Sequence, residues 1–401
     1  MSAVIEGSVL VVNAGSSSLK YQVLDPKTEE VVADGLAERI GEPGSSIKHW
    51  YRGVEVRREV ALPDHEAAIA LVVELFAEEG VDVAESGLAA VGHRVVHGGR
   101  SFFEPTLITE RVRSEIVRIS SLAPLHNPAN LTGIDAVSEL LPDVPAVAVF
   151  DTAFFSRLPD ETALYALDAE VAAEYAIRRY GFHGTSHEYV SQRAAEFLGH
   201  APSALNQIVL HLGNGASASA IRGGVPFDTT MGMTPLEGLV MGTRTGDIDA
   251  GIVFHLARVA DMSIEDIDVL FNKKSGLKGL CGENDFRTIL QRVDEGDETA
   301  AQAYLVYLQR LRRYIGAYMI ELGRVDAIVF TAGVGENAAP VRADSLAGLE
   351  NYGIRIDPDR NAVRSDEARV ISADGSAVTV LVVPTNEELA IARAAVAVAG
   401  A

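Results

Sequence analysis

The strongest constraint on the fold is a pattern that the sequence contains twice. Residues 8–23 (SVLVVNAGSSSLKYQV) and residues 208–221 (IVLHLGNGASASAI) each join two apolar strands through a turn rich in Gly, Asn and Ser. Such a turn exposes backbone N–H groups, which phosphate oxygens can approach closely. Either segment alone is better explained as an ordinary β-hairpin, because short turns of Gly and Ser are common. Two of them, with Gly15 and Gly213 separated by 198 positions, predict a chain built from duplicated halves.

Short β-branched segments alternate with longer segments rich in Ala and Glu. The former predict strands, and the latter, with apolar residues at helical spacing, predict helices. The predicted strands are 8–12, 21–24, 88–92, 146–150, 208–212, 217–221, 327–330 and 378–383. The predicted helices are 64–79, 109–122, 130–140, 186–198, 250–260, 298–322 and 387–398. The alternation favours an α/β fold.

The length of the chain predicts two domains, because 401 residues exceed what a single core usually organises. The strand at 146–150 ends at Asp151 and a new segment begins at Thr152, where we place the domain boundary. The predicted N-terminal domain covers residues 1–151 and is completed by a C-terminal helix at 386–401. The predicted C-terminal domain covers residues 152–385.

The charge balance excludes polyanionic partners. The chain has 34 Lys and Arg against 56 Asp and Glu, a formal net charge of −22. Nucleic acids and anionic membranes would be repelled by this charge. A site for a small anion would then have to be built locally, from a few cationic side chains and backbone N–H groups.

Other features predict a cytoplasmic protein. The single cysteine, Cys281, cannot form an internal disulfide and matches no metal-ligand spacing, as is typical of a reducing compartment. The first twelve residues lack a basic start followed by a long apolar run, and no later segment has the length of a membrane span.

Three positively charged or ionisable side chains lie among glycines. Arg94 is in 91–99 (VGHRVVHGG), His183 in 180–187 (YGFHGTSH) and Arg244 in 242–247 (GTRTGD). An arginine suits a carboxylate or phosphate because it donates two parallel hydrogen bonds. Taken singly, His183 could be a hydrogen-bonded structural residue and Arg244 part of a surface ion pair.

Two acidic side chains and a third glycine turn complete the candidates. Asp151 ends an apolar strand, where carboxylates of α/β proteins often face a ligand. Glu387 either faces the same ligand or caps a helix. Residues 327–337 (AIVFTAGVGEN) predict a buried strand that runs into a Gly-x-Gly turn at Gly333 and Gly335, on which a nucleotide could lie.

Taken together, these segments resemble the acetate kinase family over almost the whole chain. The matching segments, in family order, are 13–21 (NAGSSSLKY), 92–99, 123–130 (APLHNPAN), 149–154 (VFDTAF), 178–187, 211–215 (HLGNG), 242–247, 331–337 and 384–389 (PTNEEL). The resemblance implies an α/β fold of two duplicated actin-like ATPase-type domains with a nucleotide cleft between them. It further implies a homodimer that transfers the γ-phosphoryl group of ATP to acetate by direct in-line displacement.

The resemblance also implies roles for individual residues. It makes Asn13 and Glu387 partners of Mg²⁺, with Mn²⁺ as a second candidate ion. The implied catalytic residues are Arg94, Asp151, His183 and Arg244. The implied ATP-binding residues, which make the second domain nucleotide-binding, are Lys20, His211, Leu212, Gly213, Asn214, Gly215, Asp285, Phe286, Arg287, Gly333, Val334, Gly335, Glu336 and Asn337.

Chemistry limits what Asp151 can do. Acetate is ionised at neutral pH, since carboxyl pKa values lie near about 4, so the acceptor has no proton to lose. We therefore hypothesise that Asp151 orients Arg94 or a magnesium-bound water instead of acting as a base.

The resemblance implies an apolar acetate pocket formed by Val96, Leu125, Phe182 and Pro235, in which Val96 favours acetate over longer acids. Three alternatives stay open on the sequence alone. The chain could be a propionate or butyrate kinase, an ATPase-type binding module that closes on nucleotide without transfer, or a scaffold protein without a site.

Overall fold

The computed structural model describes residues 6–83 and 85–400. Residues 1–5, where the predicted N-terminal domain begins, lie outside the described residues, as do Ala84 and the predicted final residue of the C-terminal helix, Ala401. The described residues form two compact units. The first contains the residues up to Ser156 together with those from Asn386 onward, and the second is Arg157–Thr385.

The secondary structure elements are numbered in chain order. The strands are β1 (Val9–Ala14), β2 (Ser18–Leu24), β3 (Val31–Glu38), β4 (Ser46–Tyr51), β5 (Val54–Glu59), β6 (Ala90–Val95), β7 (Thr106–Leu107), β8 (Ala146–Phe150), β9 (Asn206–Leu212), β10 (Ala216–Arg222), β11 (Val225–Thr229), β12 (Ala327–Thr331), β13 (Arg369–Val370) and β14 (Thr379–Val382). The helices are α1 (His65–Glu78), α2 (Glu110–Ile119), α3 (Asn127–Leu140), α4 (Asp160–Ala163), α5 (Ala169–Glu174), α6 (Gly184–Phe197), α7 (Gly251–Val259), α8 (Ile264–Lys273), α9 (Gly276–Cys281), α10 (Phe286–Asp294), α11 (Glu298–Leu322), α12 (Ala332–Asn337), α13 (Ala339–Leu346), α14 (Pro358–Ala362) and α15 (Glu387–Ala399).

The sheet of the first unit has the strand order β5-β4-β3-β2-β1-β6-β8-β7. β1 and β2 pair antiparallel, which confirms the first predicted hairpin. β1, β6 and β8 pair parallel to one another. The carboxyl ends of these three strands therefore meet at one edge of the sheet, where ligands of α/β folds usually bind.

Helices cover both faces of this sheet. Val91 belongs to an apolar cluster with residues of α1 and α3, such as Phe76 and Val137. The next residue of β6, Gly92, faces Ile391 of α15. Because successive residues of a strand point to opposite faces, α15 packs on the face opposite α1 and α3.

The sheet of the second unit repeats this plan in the order β11-β10-β9-β12-β14-β13. β9 and β10 form the second predicted hairpin, and β9, β12 and β14 pair parallel. Its last strand, β13, pairs antiparallel with β14, as β7 does with β8 in the first unit. The common topology confirms the prediction of duplicated halves with an α/β fold.

Each predicted strand and helix overlaps an observed one, and the predictions for 146–150 and 298–322 match β8 and α11. The predicted helix starts at Asp64 and Thr109 are N-caps, whose side chains accept from the N–H groups of Ala67 and Val112. One local prediction was wrong. The Gly-x-Gly segment after β12 is the short helix α12 and not a turn.

The close approach of α15 to β6 gives a prediction about Gly92. A Cβ atom at this position would lie 2.6 Å from Cγ2 of Ile391. We expect Gly92→Ala to lower the free energy of unfolding by about 1–3 kcal/mol, because the crowded helix and strand must move apart. Urea unfolding of the variant measures this effect.

The control for this prediction is Gly316→Ala, in the interior of α11, where a new Cβ meets no atom within 4 Å. This substitution should raise the free energy of unfolding by about 0.5–1 kcal/mol, because alanine favours the helix. Equal stability of Gly92→Ala and the unmodified chain would contradict the packing argument.

Candidate active site

The carboxyl edge of the first sheet holds a bidentate ion pair. Nε and Nη2 of Arg94, near the end of β6, donate to the two oxygens of Asp151 at 2.9 and 2.6 Å. Asp151 directly follows β8 and is only 1% exposed. Nη1 of Arg94 lies 3.5 Å from Oδ1 of Asn13, on β1. Each of the three parallel strands thus contributes one group.

Two asparagines of α3 hold the backbone around this pair. Oδ1 of Asn130 accepts the N–H of Val96 at 3.0 Å, while its Nδ2 donates to the carbonyl of Ala14 at 2.7 Å. Asn127 makes both types of hydrogen bond with the backbone of His97. The ends of β1 and β6 are therefore tied to one helix, which fixes the position of Arg94.

The first turn of α15 brings further acidic side chains to this region. Asn386 caps the helix by accepting the N–H of Leu389 at 2.9 Å, so Glu387 is the first helical residue and not the cap. Burial raises the pKa of Glu387, and the Asp151 and Glu388 carboxylates act in the same direction against the opposing effect of Arg94. Lys20, opposite Asn13 in the hairpin, pairs with Glu388.

Burial acts to lower the pKa of Arg94, but the Asp151 carboxylate together with Glu387 and Glu388 holds it above its ordinary value. The guanidinium is therefore a permanent positive charge. A partly buried, oriented cation of this kind suits an anionic ligand.

The donor set around Arg94 fits a hard cation. Asn13 offers an amide oxygen, and Asp151 and Glu387 offer carboxylates, which are the ligands that Mg²⁺ prefers. Among residues 6–83 and 85–400, no cluster of three or more His, Cys, Asp and Glu side chains is arranged to hold a metal ion.

In the second unit, His183 lies against the second glycine hairpin. It precedes α6 with a left-handed backbone (φ 58°), and its ring stacks on that of His211 with centroids 4.3 Å apart. Its Nδ1 lies 3.0 Å from Oγ of Ser217 on β10. A Cβ atom at Gly215 would contact the ring at 3.5 Å, so the absence of a side chain leaves room beside His183.

Arg244 is carried by a loop that is closed at its base. Gly238 and Asp247 exchange two hydrogen bonds of 2.9 Å, and the hydroxyl of Tyr314 donates to Asp247. Nη1 of Arg244 donates to the carbonyl of Pro235 at 3.1 Å. Hydrogen bonds thus close the loop that carries Arg244, and the guanidinium of Arg244 binds a backbone carbonyl.

A cavity of about 1190 Å³ lies within the second unit. Eight predicted nucleotide-binding residues line it, namely Gly213, Asn214, Asp285, Phe286, Arg287, Gly333, Val334 and Asn337. The other five predicted in this unit, His211, Leu212, Gly215, Gly335 and Glu336, adjoin these in sequence but do not line the cavity within the described part of the chain. Asn284, which sequence reasoning missed, also lines it and donates to Oδ1 of Asn214 at 3.0 Å.

The helix α12 is held from both ends. Oε1 of Glu336 accepts the N–H groups of Ala332 at 2.8 Å and Thr385 at 3.2 Å. Arg342, which is 1% exposed, donates to the carbonyls of Gly335 and Glu336 at 2.9 Å. Burial and the neighbouring Arg369 lower the pKa of Arg342 to about 10. Glu336 therefore has a structural position behind the residues that line the cavity.

The four residues of the predicted acetate pocket differ in environment. Val96 and Phe182 are buried, whereas Leu125 is 43% exposed. Val96 and Leu125 belong to the first unit, and Phe182 and Pro235 belong to the second. The pocket itself stays a prediction.

Sequence reasoning missed the residues that support the charged groups. Asn127 and Asn130 lie in segment 123–130, which resembles the family, but nothing local in the sequence marks their backbone partners. His187 follows His183 by four residues, which is the periodicity of a helix. Ser217 and Ser219 are two residues apart, which is the periodicity of a strand. Those spacings place each pair on one face, and this was the signal available.

Within residues 6–83 and 85–400, no helix combines the length and the apolar character needed to cross a membrane.

Comparison with known proteins points to one family. The model of the Acetokinase family matches residues 8–393. A protein of Streptomyces avermitilis named acetate kinase is 59% identical over 394 residues, covering 98% of this chain and 97% of the relative. A protein of Corynebacterium efficiens with the same name is 56% identical and covers 96% of this chain and 97% of the relative.

Solved structures give the same result. The structure of Porphyromonas gingivalis acetate kinase has a TM-score of 0.92 and 42% identity, covering 98% of this chain and 99% of that one. A propionate kinase from Francisella tularensis also has a TM-score of 0.92, with 38% identity and coverage of 97% and 98%. The fold, with two related α/β domains, is thus shared along the whole length.

The raised pKa of Glu387 predicts how stability depends on pH. A carboxyl group with a higher pKa in the folded state than in the unfolded state stabilises the fold while protonated, and this contribution is lost as the pH rises through the folded pKa. We expect Glu387→Gln to gain stability relative to the unmodified chain as the pH rises from about 4, the ordinary carboxyl pKa, to neutrality. Urea unfolding of both proteins across this range measures the difference, and a difference that stays constant or shrinks would contradict the assignment.

Proposed function

The chain belongs to the acetokinase family, and on this premise we propose that Arg94, His183 and Arg244 bind the phosphoryl group that passes between ATP and acetate. The enzyme is an acetate kinase. We propose that it forms acetyl phosphate and ADP reversibly and by in-line displacement. The observation that carries the proposed roles is the bidentate pair of Arg94 and Asp151 at the carboxyl edge of the first sheet.

Phosphoryl transfer passes through a loose transition state whose negative charge is spread over the equatorial oxygens. Most of the catalysis must then come from alignment and from fixed positive groups. Arg94 meets this need because its carboxylate partner fixes the plane of the guanidinium. Nη1, which does not bind Asp151, lies near Oδ1 of Asn13.

We assign Asp151 the role of orienting Arg94. Both of its oxygens already accept hydrogen bonds from the guanidinium. A carboxylate engaged in this way is poorly placed to remove a proton, and ionised acetate has none to give. Asp151 therefore acts on the reaction through the arginine.

The second unit supplies the proposed nucleotide site. ATP and ADP are the nucleotide substrates of this enzyme, and the cavity lined by Gly213, Asp285 and Gly333 has a volume suited to a ligand of this size. We place the phosphates along the backbone N–H groups that follow β9, beside His183. Arg244 and Lys20 then complete the set of cationic contacts.

We propose that Asn13 and Glu387 hold Mg²⁺, directly or through water, with Mn²⁺ as a second candidate. The bound ion would neutralise part of the charge on the ATP phosphates. Asn13 contributes an oxygen that also faces Arg94. Glu387 is partly buried and its pKa is raised by that burial, so a nearby dication would favour its ionised form.

Acetate is the acceptor, and we propose that Val96 limits the length of the acid in a pocket that includes Leu125, Phe182 and Pro235. Propionate and butyrate kinase activity, or ATP binding without transfer, are not favoured, because relatives at 55–59% identity are named acetate kinase. A cytoplasmic location and a homodimeric assembly remain proposals that come with the family.

The Arg94–Asp151 pair gives a prediction about turnover. We expect Arg94→Ala and Asp151→Asn each to lower kcat by about 10²–10³, the loss typical of removing a positioned group that stabilises transition-state charge. A hydroxamate assay with acetate and Mg·ATP measures the formation of acetyl phosphate.

The matched control is the ion pair of Arg113 and Asp135, which is also bidentate in the first unit, at 2.6 Å for both bonds, but is partly exposed. Arg113→Ala and Asp135→Asn should leave kcat near that of the unmodified enzyme. If Asp151→Asn retained full turnover, the role of Asp151 would be lost whatever the effect of Arg94→Ala.

The proposed position of Val96 gives a prediction about the preference among acids. Val96→Ala should raise kcat/KM for propionate relative to acetate by roughly tenfold, because one methylene contributes about 1–3 kcal/mol to discrimination. The same assay with acetate, propionate and butyrate gives the ratios. An unchanged ratio would remove Val96 from the pocket.

A further inference from the structure

A line of hydrogen-bonded side chains runs from His183 into the core of the second unit. Nδ1 of His183 lies 3.0 Å from Oγ of Ser217, which lies 2.7 Å from Nε2 of His187. Nδ1 of His187 in turn lies 2.7 Å from Oγ of Ser219. We call Ser217, His187 and Ser219 the inner chain.

The inner chain is built from two regular elements. His183 precedes α6 and His187 lies in its first turn, and each ring has a nitrogen within 3.0 Å of Oγ of Ser217. Ser217 and Ser219 alternate along β10 and therefore point to the same side of the sheet. The three members of the inner chain are fully buried, which excludes water as a competing partner.

Burial determines the protonation of the middle member. It lowers the pKa of His187 far below the ordinary value, and His211 acts in the same direction. The His187 ring is therefore neutral and carries one N–H. One nitrogen of His187 donates and the other accepts. We take as the rule that Oγ of Ser217 donates to one histidine and accepts from the other, which makes the hydrogens of the inner chain point in one direction.

Only two arrangements satisfy this rule. In one, hydrogens point outward from Ser219 through His187 and Ser217, so that Nδ1 of His183 accepts and a neutral His183 carries its proton on Nε2. In the other, all hydrogens are reversed, Nδ1 of His183 donates, and Nε2 of a neutral ring bears a lone pair. A lone pair at Nε2 would repel a phosphoryl oxygen.

We infer that the inner chain is a positioning device that holds the proton of neutral His183 on Nε2, so that the ring donates to a phosphoryl oxygen without itself being charged. This inference rests on the proposed function, in which His183 contacts the migrating phosphoryl group. For a neutral ring the anion selects the outward arrangement, since only that one presents a donor at Nε2. Ser217 and His187 thereby act on the reaction through His183.

A third serine, Ser186, binds the neighbouring histidine, His211. Oγ of Ser186 lies 2.8 Å from Nδ1 of His211 and 2.8 Å from Oγ1 of Thr385. The stacked rings of His183 and His211 are thus each fixed at Nδ1 by a different hydroxyl. Changes in the inner chain should therefore alter His183 while they leave the hydrogen bonding of His211 intact.

The test is ¹⁵N NMR of the full-length enzyme labelled at histidine, in complex with Mg·ADP, aluminium fluoride and acetate as the probe of the transition state. Comparison with His183→Gln assigns the His183 signals among the ten histidines. We expect the shifts of a neutral ring protonated at Nε2. A ring protonated at Nδ1, or an imidazolium, would overturn the inference without any need for a variant of the inner chain.

Variants connect the tautomer to the rate. Ser217→Ala and His187→Leu should move the His183 signals towards the other tautomer and lower kcat by about tenfold to a hundredfold, as expected for a misoriented group. KM for ATP should change much less. His187→Gln keeps an N–H near Ser217 and should restore part of the rate and of the original signals.

Ser191→Ala is the matched control, because Ser191 is also a buried serine of α6 but donates only to the carbonyl of Glu188. It should change neither kcat nor the His183 signals. ADP binding and thermal unfolding show which variants retain the fold.

The two proposals fail in different ways. If His183→Gln leaves kcat unchanged, the proposed role of His183 falls, and the inference falls with it. If His183→Gln lowers kcat while folded Ser217→Ala and His187→Leu alter neither the rate nor the tautomer, only the inference is overturned.

Discussion

A guanidinium that is drawn partly out of water must be paired, and the pairing of Arg94 with Asp151 satisfies this constraint at the carboxyl edge of the first sheet. The parallel register of β6 and β8 makes the pair geometrically available, because both strands end at the same edge. The asparagines of α3 and the first turn of α15 are arranged around it. The arrangement of charged groups at this edge therefore depends on one ion pair whose position is set by strand pairing.

The two units show how one topology can carry different chemistry. Each sheet contains a glycine hairpin and two further strands that run parallel to its first strand, yet the groups at the carboxyl edge differ. The first unit presents an arginine held by a carboxylate, together with oxygen donors suited to a hard cation. The second presents stacked histidines held by serines, and a cavity beside a short helix. Duplication of the backbone left the side chains free to diverge.

Much of this arrangement could be predicted from the sequence, because local patterns decide the elements. The hairpins follow from glycine-rich turns between apolar runs, and β8 and α11 follow from their periodicity. The sequence analysis missed β4 and β5. β5 alternates charged residues and is largely exposed, so it contains no apolar run. The Gly-x-Gly segment was mistaken for a turn, since the bonds of Glu336 and Arg342 that stabilise α12 come from distant residues.

The supporting contacts could not be predicted for the same reason. The link from His183 to Ser217 joins a helix to a strand 34 residues away, and no spacing within either element reveals it. By contrast, the charged residues among glycines were identified one by one. The sequence therefore predicts the charged residues among glycines more readily than the residues that hold them in place.

The return of α15 to the first unit has a consequence for how the protein is made. The second unit is continuous in the chain, whereas the first needs residues that follow it. On the ribosome, the face of β6 around Gly92 stays uncovered until the last helix has been synthesised. The half of the molecule that is translated first is therefore the half that matures last, and its unfinished sheet is the surface that a nascent-chain chaperone would have to shield.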